Sequence, residues 1–324
     1  MSIVLTRDIP PRAFRPLRAL AGNAYVLLTC AALFWAGNVI VGRLLAGHGG
    51  HHVAPATLTA LRWGIALLVL APLALPQVRA HWPVVRAEWP RLALLGVIAI
   101  AGYYLPFYAA MRTVPALDGG LIVGAGPALI LTLAVLAGQE RLDALRTLGV
   151  VAAIAGAAAA ITHGDPRQLS RLALSRGEAM IAFSVLCWAG YTVLLRRWKI
   201  GLPPLALLST LVALGLVATL PLVAWELLAD PTPADLSAAT IIAVLYIGIF
   251  PGAGATLCWN VAVARVGSGT AGVFMTLIPV FATGLAVPLL GERVRSYHLF
   301  ALALVVAGVA VASLRGARAL RGDR

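Results

Sequence analysis

Acidic side chains are scarce in this sequence, which has 12 Asp and Glu residues against 25 Lys and Arg, and only 11% of its residues are charged. Soluble globular domains carry about 25% charged residues. Hydrophobic residues make up 61% of the chain and come in long blocks. A helix needs about 20 such residues to cross a bilayer. This composition argues against a soluble domain and predicts an all-α polytopic membrane protein.

The sequence also lacks the motifs that catalysis within a membrane would require. No H-E-x-x-H or G-x-S-x-G motif and no paired catalytic carboxylates occur in it. Its histidines fall in predicted loops or at predicted helix ends, at positions 48, 51, 52, 81, 163 and 298. The three in the first loop are candidate metal ligands, but flexible, solvated histidines are the simpler interpretation. We therefore predict no enzyme activity, no metal and no cofactor.

Cysteine is rare, and basic charge is dispersed. Cys30, Cys187 and Cys258 all fall in apolar blocks, which argues against a disulfide framework. The net charge of +13 comes from arginines in short loops and at both termini, not on one polar face, so we exclude nucleic acid as a partner. Loop arginines on the cytoplasmic side are typical of membrane insertion. We expect the bilayer itself and a small-molecule substrate as the partners.

The apolar blocks predict ten membrane-spanning helices. Most Lys and Arg residues fall in the segments that face the cytoplasm if the chain starts there, although the loop between the fifth and sixth spans fits this less well. We therefore place both termini in the cytoplasm, and read the first block as a retained helix rather than a cleaved signal peptide. The predicted spans are 23–46, 54–76, 90–111, 117–137, 144–163, 177–197, 203–227, 238–264, 268–290 and 296–314.

Short phrases recur at a nearly constant spacing along the chain. Trp-Ala-Gly occurs at 35–37 and again at 188–190, and Glu-Arg occurs at 140–141 and at 292–293. In both cases a proline lies 13 residues before the glutamate. Such self-similarity indicates one structural unit used twice.

The repeat divides the chain into residues 1–163, a linker at 164–176 and residues 177–324. Because five helices per unit is an odd number, the second unit must enter the membrane inverted relative to the first. Inverted units are related by a pseudo-two-fold axis in the membrane plane, and transporters built this way bind solutes at the midplane interface. We therefore predict a central cavity with two alternating openings, which a monomer could form alone.

These phrases carry a family resemblance. The F-W-A-G-N of residues 34–38, the L-R-W of 61–63 and the G-P and I-P pairs of 126–127 and 278–279 are similar to motifs of the EamA-type, ten-helix branch of the drug/metabolite transporter superfamily. The resemblance implies movement of amino acids, metabolites or drugs across the bacterial inner membrane, often outward. The aromatic residues place the amino-acid exporters closest. Carriers of drugs or other metabolites, and less readily a channel, are the alternatives.

Aromatic and amide residues recur at corresponding places in the two units, and we expect them to bind an amphipathic solute. Aromatic faces bind apolar groups and attract ammonium groups by cation–π contacts, and amides in an apolar wall can orient a carboxylate or amine. Interface belts and interhelical hydrogen bonding are the alternatives. The predicted residues are Trp35, Asn38, Tyr104, Phe107, Tyr108, Met111, Trp188, Tyr191, Trp259 and Asn260.

Arg62 is the strongly charged residue placed well inside a predicted helix. An intramembrane charge faces the protein interior and is by default a candidate functional residue. It could hold a substrate carboxylate. It could equally be tied to backbone carbonyls or reach for the headgroups, and the sequence leaves these alternatives open.

Other residues are candidates for movement rather than binding. Pro127 and Pro279 are predicted hinges or packing kinks. Glu140 and Glu292 are predicted to sit at opposite membrane surfaces, in local ion pairs or as gates. The first helix has no carboxylate, and Asp118 is expected to cap a helix. We therefore predict that proton coupling through a buried carboxylate is absent, with Asp118 as the residue to test.

Overall fold

The computed structural model describes residues 23–47, 52–140, 143–165, 175–229, 235 and 237–314. Within these ranges the chain is helical and forms no extended strand. Eight helices there are long and apolar enough to cross a membrane, and two shorter apolar helices, Leu277–Leu290 and Ser296–Val311, follow them. His48, His51 and Arg141 lie outside the described residues.

The helices follow one another with short connections. Two of them contain a π-helical turn, at Val97–Gly102 in α4 and at Gly248–Gly254 in α9. In chain order the helices of the first half are α1 Ala24–Leu45, α2 Pro55–Ala80, the short α3 Trp82–Ala87, α4 Trp89–Ala110, α5 Ala116–Leu136 and α6 Ala144–Ile161. Those of the second half are α7 Arg176–Trp198, α8 Pro204–Ala229, α9, α10 Leu277–Leu290 and α11 Ser296–Leu314. Helix α9 consists of Ala238–Ile247, the π-helical turn Gly248–Gly254 and Ala255–Phe274.

One predicted helix boundary is wrong. The sequence suggested a break at residues 265–267, but α9 continues to Phe274 and the chain turns only at residues 275–276. The corresponding connection in the first half contains Pro115, whose missing N–H and fixed φ favour a helix start. The equivalent position 267 is a glycine. Glycine costs a helix only about 1 kcal/mol, so it does not force a break.

Glycines allow several helix backbones to touch. Extensive contacts join α6 to α11, α2 to α8, α1 to α9 and α10, α7 to α4 and α5, and α4 to α8. A Cβ at Gly308 would lie 2.5 Å from the backbone nitrogen of Ala153, and one at Gly96 would lie 2.6 Å from the carbonyl oxygen of Leu211. Small residues at such crossings permit the close packing on which helix association in lipid depends.

The two predicted hinge prolines follow breaks instead of kinking continuous helices. Residue 125 interrupts α5, and Pro127 lies in the first turn of the segment that starts at Gly126, where a missing N–H costs no hydrogen bond. Pro279 lies in the first turn of α10, after the turn at 275–276. The two breaks are neighbours, because a Cβ at Gly124 would lie 2.8 Å from Cγ of Pro279.

Candidate substrate cavity

A cavity of about 300 Å³ lies among helices of both halves of the chain. Most of its wall is apolar and aromatic, and its polar side chains are amides, hydroxyls and the indole groups. Among the described residues that line it there is no Asp, Glu, Lys or Arg. Along α7 the lining runs from Val185 to Leu195, and it includes Pro204 at the start of α8. The cavity therefore extends toward the end of the bundle where α7 ends, which we term the cavity end.

The structure brings together eight of the predicted binding residues on the wall of this cavity. The other three, Arg62, Tyr108 and Met111, are completely or almost completely buried behind it. Met111 packs beside Gly42 and Gly119, away from the lining. The eight lining residues are Trp35, Asn38, Tyr104, Phe107, Trp188, Tyr191, Trp259 and Asn260.

The aromatic rings form contacts across the cavity wall. Trp35 of α1 meets Trp259 of α9 with ring centroids 5.4 Å apart. Trp188 of α7 lies 5.7 Å from Tyr103 and 5.3 Å from Tyr191. These tilted pairs have the separations that aromatic quadrupoles favour. The rings therefore hold one another in place and present a preformed aromatic surface.

Behind this wall, the guanidinium group of Arg62 donates hydrogen bonds to four acceptors. One terminal nitrogen, Nη1, donates to Oδ1 of Asn38 and to the hydroxyl of Tyr108, the latter at 3.0 Å. The other, Nη2, donates at 3.2 Å to the hydroxyl of Tyr104 and at 3.2 Å to the carbonyl oxygen of Pro251. The Tyr108 hydroxyl in turn donates to Oδ1 of Asn38 at 2.7 Å. The network joins α1, α2, α4 and α9.

The Arg62 charge is held by neutral groups. Its guanidinium carbon lies 4.4 Å from the ring centroid of Tyr104 and 5.1 Å from that of Trp63. No carboxylate of the described residues lies within ion-pairing distance. The side chain is 0% exposed, so the alternative in which it reaches the headgroups is excluded. Two of its partners, Asn38 and Tyr104, line the cavity, so the positive charge stands directly behind the wall.

Sequence reasoning missed Trp63 as a cavity residue. It is not among the predicted binding residues, but it is 4% exposed and lines the cavity. Its ring meets Tyr104 edge to face at 5.3 Å. A signal was present, since Trp63, Ala66 and Leu70 are spaced as one helix face and all three are buried. Tyr103, the neighbour of the predicted residue Tyr104, is also in the lining.

The two predicted gate glutamates have different partners. Both carboxylate oxygens of Glu292 accept from the start of α5, from the N–H groups of Ala116 at 2.7 Å and Leu117 at 2.9 Å. Glu140 instead pairs with Arg196 at 2.6 Å and Arg146 at 3.4 Å. Glu140 is thus in ion pairs, whereas Glu292, on the connection between α10 and α11, caps the start of α5.

The end of the bundle opposite the cavity end is where α5, α7 and α11 begin, and we term it the capped end. Glu292 caps α5 there, and Glu226 near the end of α8 accepts from the N–H groups of Ala56 at 2.8 Å and Thr57 at 2.9 Å at the start of α2.

The expected capping role of Asp118 is wrong. Glu292 accepts from the N–H groups at the start of α5, whereas Asp118 is 1% exposed and faces His163 and His298. Arg43 is buried at the same end and donates to the Met111 carbonyl oxygen.

Comparison with known proteins identifies the family. The EamA-like transporter family matches residues 22–162 and again residues 175–314. The chain belongs to the EamA-like transporter family. This EamA-like transporter is similar to proteins named as transporters, not enzymes, in agreement with the expectation from its motifs.

Three relatives cover most of the chain. YyaM of Bacillus subtilis, named an uncharacterized transporter, is 25% identical over 295 residues, 90% of this chain and 93% of its own. The aromatic amino acid exporter YddG of Ancylobacter novellus is 28% identical and covers 82% and 90% of the two chains. A probable terminal-alkyne amino-acid exporter of Streptantibioticus cattleyicolor is 26% identical over 83% of this chain and 86% of its own.

A solved crystal structure has the same fold. It superposes with a TM-score of 0.63 at 23% sequence identity and covers 92% of this chain and 98% of its own. At this identity the likeness concerns the fold alone.

Proposed function

We propose that this EamA-like transporter exports amino acids with hydrophobic or aromatic side chains across the bacterial inner membrane, by alternating access of its central cavity. The observation that carries the proposal is the aromatic cavity backed by Arg62, a buried positive charge that no carboxylate of the described residues neutralises. Carriage of drugs or other metabolites by the same fold is the second candidate.

The cavity chemistry favours a solute with a carboxylate. Binding sites for small molecules range from about 300 Å³ upward, so a cavity of about 300 Å³ suits a single small solute. Its indole and phenol faces suit an apolar side chain, and they attract an ammonium group by cation–π contact worth about 0.5–2 kcal/mol. The field of Arg62, transmitted past Asn38 and Tyr104, attracts the carboxylate. The same field repels lipophilic cations, which disfavours the drug-carrier alternative.

The names of the relatives support both the substrate class and the direction. Two of the similar proteins are named as amino-acid exporters, one of them for aromatic amino acids. At 26% and 28% identity these names suggest a class of substrate and not a particular one.

The packing pattern supports ten spanning helices in two inverted units. If the units exchange, α1 takes the place of α7, α4 that of α9, and α5 that of α10. The contacts of α1 with α9 and α10 then become the contacts of α7 with α4 and α5, and the pairs α2/α8 and α6/α11 map onto themselves. The π-helical turns at Val97–Gly102 and Gly248–Gly254 also fall at equivalent places. On this proposal both termini face the cytoplasm and one chain suffices for transport.

The glutamate gates support a particular conformational state. Glu140 and Glu292 are equivalent by the repeat, yet Glu292 caps a helix while Glu140 forms ion pairs with Arg196 and Arg146. Such asymmetry is expected when one end of an inverted pair is closed and the other open. The cavity extends to the cavity end, which is cytoplasmic on the proposed topology. On this proposal the protein is in an inward-facing state, and the breaks before Pro127 and Pro279 are its hinges.

Counterflow in proteoliposomes tests the proposal. Vesicles loaded with unlabelled L-phenylalanine should accumulate labelled L-phenylalanine transiently, which a carrier does and a channel does not. Trp188→Ala should weaken this exchange, because it removes a ring that contacts Tyr103 and Tyr191. The matched control is Trp225→Ala, whose side chain is 67% exposed on the outside of the bundle. Exchange of ethidium without exchange of any amino acid would overturn the proposal in favour of a drug carrier.

A further inference from the structure

A cluster of acidic and histidine side chains lies at the capped end and takes no part in the cavity lining. Asp118 of α5 and Glu178 of α7 are 1% and 4% exposed, and His298 of α11 is 5% exposed. His163, just after α6, has a side chain that is 40% exposed. The cluster thus consists of three buried groups and one group that reaches the surface.

His163 lies between a carboxylate of the first half and a carboxylate of the second half. Its Nε2 atom lies 3.8 Å from Oδ2 of Asp118, in the first half, and 3.8 Å from Oε1 of Glu178, in the second half. The other oxygen of Glu178 already accepts from the N–H of Ser175 at 2.8 Å in a capping box. The hydroxyl of Tyr297 faces Asp118 as a neutral hydrogen-bond donor. The histidine is therefore the one group placed to neutralise both carboxylates at once.

His298 is fixed as a neutral donor. Its Nδ1 atom accepts from the backbone N–H of Arg295 at 2.8 Å, so in the neutral ring the proton is assigned to Nε2. That nitrogen lies 3.3 Å from Oδ1 of Asp118. A second proton on His298 would sacrifice the Arg295 bond. His163 is the histidine of the cluster whose ring the solvent can reach.

Other charges lie around the cluster without neutralising it. Glu292, Arg295 and Tyr297 lie next to it on the α10–α11 connection and the start of α11, and Arg43 of α1 lies beside Glu292. The ring of Tyr297 meets that of His163 edge to face at 5.7 Å. Among the described residues, no arginine lies within ion-pairing distance of Asp118 or Glu178. Without a proton on His163, these two like charges therefore face each other across the boundary between the halves.

We propose that Asp118, His163 and Glu178 form a proton-binding site that holds the capped end shut. A proton on His163 makes an imidazolium that bridges the carboxylates of the two halves. When that proton is lost to the solvent, the carboxylates repel each other and the two halves separate at this end. The proton enters and leaves at the capped end alone, so it controls which state the protein occupies and is not carried across the membrane. The site rests on the described geometry and does not depend on which solute is moved.

The distance between the two halves at the capped end tests this without any substrate. Spin labels are attached to cysteines at two exposed positions, Arg112 after α4 and Arg293 after α10. The background protein lacks the native thiols through Cys30→Ala, Cys187→Ala and Cys258→Ala. As the pH rises from about 5.5 to about 8.5, a longer label-to-label distance should gain population. A single linked proton changes the open-to-closed ratio by at most about tenfold per pH unit.

Two variants in the cluster should move the distance in opposite directions. His163→Gln cannot take up the proton and should show the long distance even at low pH. Asp118→Asn removes one of the two like charges and should show the short distance even at high pH. The matched control is His81→Gln. His81 follows the last residue of α2, at the cavity end, so this variant should respond to pH as the parent does. Gel filtration confirms that each variant is folded, and if one of the pair is not, the other decides the question.

A distance that does not change with pH in the parent protein would overturn the proposal. So would a His163→Gln variant that keeps the full pH response, or an Asp118→Asn variant that opens. Because no solute is present, these results do not depend on the amino-acid assignment.

Discussion

Replacing Arg62 by methionine separates a structural role of this residue from a role in substrate recognition. Arginine and methionine are both long and unbranched, so the apolar stem is kept while the charge and four hydrogen bonds are lost. Oδ1 of Asn38 keeps the hydroxyl of Tyr108 as a donor. The hydroxyl of Tyr104, a residue that is 6% exposed, loses the donor at its oxygen. The Pro251 carbonyl oxygen is likewise left without this partner.

The expected stability loss is therefore modest. An orphaned buried acceptor costs about 1–3 kcal/mol, and removing a buried charge recovers part of its desolvation penalty. We expect Arg62→Met to remain folded, with an unfolding free energy lower by about 1–3 kcal/mol. Thermal unfolding in detergent measures this. Arg91→Met is the control, since Arg91 forms an exposed pair with Glu88 at 2.8 Å, and such pairs contribute about 0–1 kcal/mol.

The recognition role is measured with a ligand pair that differs in charge. The parent protein should bind phenylalanine more tightly than phenylalaninamide, which lacks the carboxylate, by about tenfold, corresponding to about 1.4 kcal/mol. In Arg62→Met this preference should disappear while binding of the amide changes little. Competition with labelled phenylalanine in the exchange assay gives both affinities. Equal losses for both ligands would refute the reasoning and leave Arg62 as a structural residue.

Two further predictions concern packing and the gate. Gly308→Ala should lower the unfolding free energy by about 1–3 kcal/mol, since its Cβ would lie 2.5 Å from the backbone nitrogen of Ala153. Gly284→Ala, which meets nothing within 4 Å, should be neutral or stabilising in the same thermal assay, and equal effects would contradict the packing argument. Glu292→Ala should destabilise the protein by about 0.5–2 kcal/mol, because the start of α5 loses its acceptor. Glu292→Gln should lose less, since its amide oxygen still accepts, and a loss as large as that of alanine would speak against the capping role.

Much of the cavity could be predicted because its signals are local. Trp35 and Asn38 share one helix face, and so do Trp188 and Tyr191, and all four line the cavity. Periodicity assigns residues to a face, and the recurrence of the pattern in both halves indicated that the faces meet. The all-helical fold followed in the same way from composition.

The remaining features depend on contacts between segments distant in sequence. The Pro251 carbonyl oxygen, which accepts from Arg62, lies in a π-helical turn, and the hydrophobic periodicity of the sequence does not predict such a turn. Asp118 resembled a capping residue by its position in the first turn of a helix. Glu292, from the connection between α10 and α11, caps that helix instead. Both contacts join residues that are far apart in the sequence, so the local sequence around either residue does not predict them.

The seam between α6 and α11 has a consequence for how specificity can change. Gly308 brings these two helices into backbone contact, and among the described residues neither helix contributes to the cavity wall. The seam joins α6 of one half to α11 of the other, so it holds the molecule together away from the cavity. Residues of the cavity wall can therefore be exchanged one by one without weakening the contact between these two helices. The wall of the cavity can in this way change while the fold is kept, provided that Gly156 and Gly308 of the seam are retained.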